Sequence, residues 1–284
     1  MLMSDNKSVF PTREPAPMPR RTVWIITAIV VVVVVTATIL VIVLNRGEST
    51  PTDHTPPSTT ASAVPSTSTA FDGSGFTGTT VDKLNNPVQL PANPAGQLLP
   101  QTARTPADRN AAPAGLIWEK LYDLPVVPFS TSDGPTEITD GVAQGWTRTP
   151  QGAALAGISI LSMWLTAPDG PSQTVQRTLL SGESELIATR SAESRPARVA
   201  MLNNPDLAPG ALAGVQVTSF DPTFATIEYG GGPLADDSHP EGSYAVSTLS
   251  LTWTNGTWKL IVTPTTPDRG ERRTTIAGMT SWTD

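Results

Sequence analysis

The stretch Leu249-Ser250-Leu251-Thr252-Trp253-Thr254-Asn255-Gly256-Thr257-Trp258-Lys259-Leu260-Ile261-Val262 decides the reading of the fold. Its Asn-Gly dipeptide suits the positive φ that both central residues of a type I′ turn require. A two-residue turn there pairs Trp253 with Trp258, Leu251 with Leu260 and Leu249 with Val262. Side chains alternate along a strand, so these six residues share one face. Ser250, Thr252, Thr254, Thr257 and Lys259 take the other. The pattern predicts an antiparallel sheet with one buried face and one wet face.

Upstream of the hairpin the same period of two continues. Val215, Val217 and Ser219 alternate with polar neighbours, and residues 224–229 and 244–254 do likewise. Earlier still the period becomes helical. Thr149-Pro150-Gln151-Gly152 places a capping Thr before a Pro suited to the first helical position. Ala154, Leu155, Ile158, Leu161, Ser162 and Leu165 follow at helical spacing, and Ala167-Pro168-Asp169-Gly170 stops the helix. Gly152, Ala153, Ala156 and Gly157 leave little bulk, so this helix can lie close against a sheet. Further helical material is expected over 173–180 and 184–190, broken at Ser181-Gly182, with a short turn of helix at 196–202. Helices followed by an antiparallel meander make an α+β pattern. A curved sheet folded over a long helix is the cone of the nuclear-transport-factor-2-like (cystatin-like) fold, which is the expected fold.

The other end of the chain carries the clearest topological signal. Residues 22–44 contain no charge and are almost all Val, Ile, Leu, Ala and Thr. About 20 apolar residues at about 1.5 Å rise cross a hydrocarbon core of about 30 Å. In lipid the backbone must satisfy its own hydrogen bonds, so even the β-branched run 30–35 is expected to be helical. A cleaved signal peptide is the competing reading, but its apolar region is shorter and a small-x-small site follows closely. Here the nearest such triplet, Ala61-Ser62-Ala63, lies far downstream. Lys7, Arg13, Arg20 and Arg21 precede the span and only Arg46 follows it closely. The positive-inside rule therefore puts residues 1–21, a disordered tail, in the cytoplasm. The expected location is the plasma membrane, with the C-terminal domain outside.

Residues 45–78 are rich in Ser, Thr, Pro and Gly, the composition of a disordered stalk whose hydroxyls also suit glycan attachment. Residues 79–145 scatter Val81, Leu84, Val88, Leu90, Leu98 and Leu99 among prolines. This reads as extended chain on a surface, leading into a small β arm that ends in the turn Ser132-Asp133-Gly134-Pro135. Residues 146–284 form the expected extracytoplasmic α+β domain. The chain totals are 18 basic and 25 acidic residues; removing the five and two up to Arg46 leaves 13 and 23, about −10 outside the membrane. That charge disfavours nucleic acid and anionic lipid heads. With no Cys, disulfides are excluded.

Candidate chemistry is sparse. A ketosteroid-isomerase-like site needs an Asp base beside a Tyr and a second acid in an apolar pocket. The exterior domain offers Tyr122, Tyr229, Tyr244 and His239, with no acid patterned to point inward beside them. Asp236-Asp237-Ser238-His239-Pro240-Glu241 has metal-ligand types, but its spacing matches no defined loop and reads as a solvated connection between strands. Gly230-Gly231-Gly232 lacks the Lys and following helix of a phosphate cradle. Asn255-Gly256-Thr257 matches a glycosylation sequon, for which the turn is sufficient reason. Trp253 and Trp258 share the buried face and are assigned to the core rather than to ligand binding. Asp268-Arg269-Gly270-Glu271-Arg272-Arg273 mixes signs and reads as solvated surface. No residue is assigned a catalytic, cofactor-binding or metal-binding role, and no cofactor is expected.

Five pieces, taken in order, carry a family resemblance. They are Gly115-Leu116-Ile117-Trp118-Glu119, Asp133-Gly134-Pro135, Gly145-Trp146-Thr147-Arg148-Thr149-Pro150-Gln151-Gly152-Ala153-Ala154-Leu155-Ala156, the hairpin 251–260, and Ile276-Ala277-Gly278-Met279-Thr280-Ser281-Trp282. Together the chain resembles uncharacterised actinobacterial single-pass membrane proteins encoded near conjugation genes on mobile elements. The resemblance implies a bitopic, non-enzymatic component of a conjugative, type IV secretion-like apparatus. Its expected partners are the bilayer, through residues 22–44, and proteins of an envelope complex, including other copies of itself. The same plan is similar to accessory proteins of lipid-import complexes, so a ligand-binding domain for a lipid or cell-wall fragment is the alternative. That alternative requires an apolar pocket of roughly 300–1,000 Å³ at the wide end of the cone.

Overall fold

The computed structural model describes residues 75–283 except 106, 237–238 and 267–269. The tail 1–21, the span 22–44 and nearly all of the linker 45–78 lie outside the described residues. Among those described, no helix is long and apolar enough to cross a membrane. In chain order the elements are β1 (Phe76–Val81), β2 (Pro87–Pro91), β3 (Ile117–Lys120), β4 (Val126–Phe129), β5 (Glu137–Thr139) and β6 (Val142–Gln144). Then come α1 (Pro150–Thr166), α2 (Asp169–Thr178), β7 (Leu180–Ser181), α3 (Ser184–Asn203) and a 3₁₀ turn, Pro205–Leu207. The chain closes with β8 (Gly214–Asp221), β9 (Phe224–Asp236), β10 (His239–Thr254), β11 (Thr257–Ile261), β12 (Glu271–Arg273) and β13 (Thr280–Ser281). This is an α+β fold.

The expected hairpin forms in the expected register, with Trp253 opposite Trp258 and Leu251 opposite Leu260. Asn255 and Gly256 both take positive φ, 54° and 79°, as a type I′ turn demands. Leu249 and Val262 are both buried but do not pair across the ladder. β11 ends at Ile261 because the chain turns to a new partner: the Val262 N–H donates to the Ser181 carbonyl at 2.7 Å. There β7 runs parallel to β11, Leu180 opposite Leu260. The larger sheet therefore has the order β13-β8-β9-β10-β11-β7, with β12 pairing the far end of β10.

α1 starts where the sequence places it. Thr149 is the N-cap, its hydroxyl accepting from the Gly152 N–H at 3.0 Å, and Pro150 opens the first turn. Fourteen of its 17 residues are buried, so it has no solvent face. The reason lies in the segment 79–145, read from sequence as an arm on the surface. β1–β4 form a four-stranded sheet whose Val88, Trp118, Val126, Val127 and Phe129 join one continuous core with α1 and the larger sheet. Gly157 of α1 faces Leu249, Leu251 and Ile227, while the Ser162 hydroxyl donates to the Val126 carbonyl of β4. The helix is filling between two sheets. The first strand also starts earlier than expected: Phe76, Thr77 and Gly78, assigned to the linker, belong to β1.

Two helical boundaries differ from expectation. Pro168 interrupts the backbone only briefly, and α2 begins at Asp169. The pieces expected at 184–190 and 196–202 are one helix, α3, with Pro196 inside it. Proline leaves the carbonyl four residues back without its donor. Ala192 and Pro196 are both exposed, so water can serve that carbonyl. The triplet Gly230-Gly231-Gly232 lies inside β9. A Cβ on Gly230 would stand 3.0 Å from Ile276 Cγ2, and one on Gly214 would stand 2.8 Å from Ile276 Cδ1. These glycines make room for the C-terminal segment to cross the sheet.

Candidate interaction surface

The residues singled out by chemistry are dispersed. Tyr122 donates its hydroxyl to the Gly141 carbonyl at 2.8 Å, and burial raises its pKa. Tyr229 lies opposite Ser247, and Tyr244 opposite Arg273. His239 sits opposite Asp236 at the end of the β9–β10 ladder, with Asp237 and Ser238 outside the described residues. Among the described residues no group of three or more His, Asp or Glu could hold a metal ion. Glu271, Arg272 and Arg273 form β12, with Glu271 and Arg272 exposed as expected of solvated surface, and Arg273 pairs with Glu228 at 3.2 Å. Trp258 is fully buried as expected, and its indole N–H donates to the Thr147 carbonyl at 2.9 Å. Trp253 is only half-buried: it meets Trp258 edge-on at 5.2 Å and carries the Arg148 guanidinium 5.5 Å from its ring centre.

Two buried acids escaped the sequence reading. Glu119, on β3, has no solvent exposure. Its Oε2 accepts from the Gln97 N–H at 2.8 Å, and its Oε1 has no partner. Burial pushes its pKa up to about 8, against the smaller opposing effect of the Gln97 hydrogen bond. Asp133 is also buried and anchors the start of α1. Its Oδ1 accepts from the Thr147 and Thr149 hydroxyls, each at 2.7 Å, and from Arg104 Nε at 3.1 Å; its Oδ2 accepts from Ser132 Oγ at 2.6 Å. Arg104 reaches on to Gln151 Oε1 at 2.8 Å, and Gln151 Nε2 donates to the Asp108 carbonyl at 2.7 Å. The network ties the strand-poor segment around 101–111 to the helix N-terminus. Sequence offered only the types Asp, Thr and Gln at ordinary turn and cap positions. Burial, the signal that sets these acids apart, comes with segments distant in sequence: Gln97 meets Glu119, and Arg104 meets Asp133.

Neither acid lines the surface cleft beside β1. That cleft has a volume of about 260 Å³ and is bordered by Thr80, Val81, Lys83, Lys120, Pro205 and Pro209. It arises from one aspartate. Asp82 Oδ1 accepts from the N–H groups of Leu84 and Asn86 at 2.8 and 3.0 Å, shaping the β1–β2 turn. Its Oδ2 accepts from the Ala211 N–H at 2.9 Å, which brings the segment after the 3₁₀ turn against β1. Gly210 permits this approach, because a Cβ there would stand 2.6 Å from Asp82 Oδ2. Lys83 Nζ adds a long bond, 3.4 Å, to the Asp206 carbonyl.

The border of this cleft mixes charged residues (Asp82, Lys83, Lys120 and Asp206) with apolar ones. Among the described residues the exposed large hydrophobic side chains are Val81 (58 %), Val199 (55 %), Leu202 (46 %), Leu207 (45 %) and Phe224 (39 %). Val81 borders the cleft, Leu207 ends the 3₁₀ turn beside it, and Val199 and Leu202 lie on the last turns of α3 that lead into that turn. Single exposed apolar residues are ordinary, but a group gathered at one place marks a contact surface.

Comparison with curated proteins and with solved structures gives no match to this chain. A family model, described as a domain of unknown function (DUF8175), matches residues 81–283, from the lip of the cleft through the buried Trp282, and the chain belongs to that family.

Proposed function

We propose that this chain is a non-enzymatic, membrane-anchored extracytoplasmic protein acting as an assembly or scaffold component of a conjugative, type IV secretion-like apparatus. The observation that carries the reading is the exposure of Val81 at the cleft, of Leu207 on the 3₁₀ turn whose Pro205 and Asp206 border it, and of Val199 and Leu202 on the end of α3 that leads into that turn. A domain that docks onto envelope proteins needs such a surface. The conjugative setting rests on the family resemblance of the five sequence pieces. The anchor at residues 22–44 rests on the length and apolarity of that run. The nuclear-transport-factor-2-like description is supported by the antiparallel β8–β11 meander against a long helix. Partners are the bilayer and other envelope proteins; the acidic exterior argues against nucleic acid. The non-enzymatic reading is supported by the two buried acids, which are held in packing and turn formation rather than facing the cleft.

The alternative is a ligand-binding accessory domain of an envelope transport system. It draws on the 260 Å³ cleft, with Lys83 and Lys120 on its border. Against it, the face of the larger sheet that would line a cone pocket is filled by α1, with Ile227, Leu249, Leu251 and Leu260 fully covered. Deletion of the gene from its mobile element separates the two readings. Transfer frequency is expected to drop, to recover with the intact chain, and to stay low with Val199→Asp/Leu202→Asp. Unchanged transfer after deletion overturns the conjugative reading.

A further inference from the structure

Strand β1 is the outermost strand of the smaller sheet, and among the described residues it pairs with β2 alone. Its outer edge can be followed residue by residue. The Asp82 N–H donates to the Asn86 carbonyl at 3.0 Å, across the turn to β2. Backbone direction alternates along an antiparallel ladder, so Thr80 and Gly78 also turn toward β2, opposite Val88 and Leu90. Thr79 and Val81 therefore turn their N–H and C=O groups away from the sheet. No other backbone hydrogen bond reaches them among the described residues. A bulge between Phe76 and Gly78 lies to one side and leaves 78–81 regular.

Open edges are normally blunted by charge, by proline, by shortness or by cover. Other edges of this molecule are treated in that way. β4 is buried along its whole length, and β7 and β13 are each two residues long. The Val217 N–H of β8, beyond the reach of β13, is taken by Asn110 Oδ1 at 2.9 Å. β1 is neither charged nor short nor covered. Its six residues hold no proline, and Thr77, Gly78, Thr79 and Val81 are exposed. A Cβ added at Gly78 would meet nothing within 4 Å.

We infer that β1 is a homodimerisation edge, pairing antiparallel with β1 of a second copy about a two-fold axis so that the two four-stranded sheets become one. The inference deepens the scaffold reading and rests on it for its biological setting. The strand is its own complement. Of the registers that engage both Thr79 and Val81, Thr79 opposite Thr79 gives the longest overlap, with Gly78 against Thr80 and Val81 against Thr77. The first charges beyond the strand, Asp82 and Lys83, then fall opposite Phe76 and Gly75 of the other copy, so no like charges meet. Parallel pairing in register would set Asp82 beside Asp82 and Lys83 beside Lys83, which is unfavourable. One strand pair lies at the small end of specific interfaces, so the association is expected to be weak in dilute solution and to gain where copies are held together.

The chain has no Cys, so engineered thiols report the contact without background. The full-length chain is oxidised mildly and its mass read under non-reducing conditions. Across the two-fold axis the Cα atoms are about 5.5 Å apart at Thr79 and about 4.5 Å apart at Gly78–Thr80, both within disulfide range. Thr79→Cys is expected to run at twice the chain mass. Thr77→Cys, on the same exposed edge, is expected to stay monomeric, because its two copies are offset by four residues, about 13 Å. An equimolar mixture of Gly78→Cys and Thr80→Cys chains is expected to cross-link more than either alone. Adding Thr79→Pro to both chains should abolish that product with the unfolding temperature unchanged, since proline there removes an outward N–H and spares the ladder with β2. No Thr79→Cys dimer above the Thr77→Cys control, or a mixture whose cross-link survives Thr79→Pro, overturns the proposal. The contrast between Thr79→Cys and Thr77→Cys stands whether or not the proline variant folds. These readouts concern the purified chain, so loss of the conjugative reading in the deletion test leaves them independent.

Discussion

Glu119 shows how one side chain can make the whole domain sensitive to pH. A carboxyl whose pKa is raised on folding stabilises the fold below its unfolded pKa, near 4.5, and loses that contribution as pH rises through the folded value, about 8. Denaturant unfolding is therefore expected to show stability falling between those limits, by at most about 1.4 kcal/mol per pH unit for one proton. Glu119→Gln keeps an acceptor for the Gln97 N–H and removes the titration, so its stability profile should be flatter over the same range. An equally steep profile in the variant would assign the effect elsewhere. Asp133 makes the opposite case, an acid whose hydrogen bonds are met from several directions. Asp133→Ala strands the Thr147, Thr149 and Ser132 hydroxyls and leaves Arg104 without its ion pair. A loss of about 2–4 kcal/mol is expected from urea unfolding.

At the scale of the element, α1 separates helix propensity from packing. Alanine is better than glycine in a helix by about 1 kcal/mol. At Gly157 an added Cβ would meet only the methyl ends of Leu251, Ile227 and Leu249, at 3.1–3.4 Å. Those side chains can give slightly, so Gly157→Ala should be nearly neutral. At Gly152 the same Cβ would stand 2.1 Å from the Thr147 carbonyl oxygen, which is backbone and is also held by the Trp258 indole. Gly152→Ala is expected to lose about 2 kcal/mol despite its better propensity. Thermal unfolding of the two variants side by side tests the contrast. The sequence showed this helix with its cap, its first residue and its end, because those depend on neighbours along the chain. It did not show that α3 continues through Pro196, since that depends on the exposure of the carbonyl at Ala192.

Across the whole molecule the C-terminal segment joins the two sheets. The Trp282 carbonyl receives the Trp118 indole N–H at 2.8 Å, their rings lie 6.4 Å apart, and Thr280 pairs with Val215. One residue thus links β3 of the small sheet to the edge of the large one, and both tryptophans are buried. Trp282→Ala is expected to cost about 3–5 kcal/mol and to loosen the β1–β4 sheet together with the β8 edge. Hydrogen exchange should show the two regions losing protection together. Loss confined to β13 would mean that the sheets hold without this link.

The hairpin at Asn255-Gly256, the register of Trp253 on Trp258, the alternation of β8–β10 and the Thr149 cap were all legible in the sequence, because each is set by residues within a few positions of one another. The burial of 79–145 was not. Its isolated apolar residues have no period of their own, and Val88, Trp118 and Phe129 become core only because α1 lies beneath them. Glu119 and Asp133 likewise looked like ordinary polar residues, because the segments that meet them, around Gln97 and Arg104, lie 22 and 29 residues away in sequence. The small residues of α1 announced close packing against one sheet; packing against two required long-range contacts to bring β4 to its other side. The apolar surface at the end of α3 belongs to the same class. Val199, Leu202, Leu207 and Val81 lie far apart in sequence, and a single carboxylate, Asp82 bound to the Ala211 N–H, helps bring β1 to the others. What depends on near neighbours was written in the chain, and what depends on who covers whom was decided by tertiary structure.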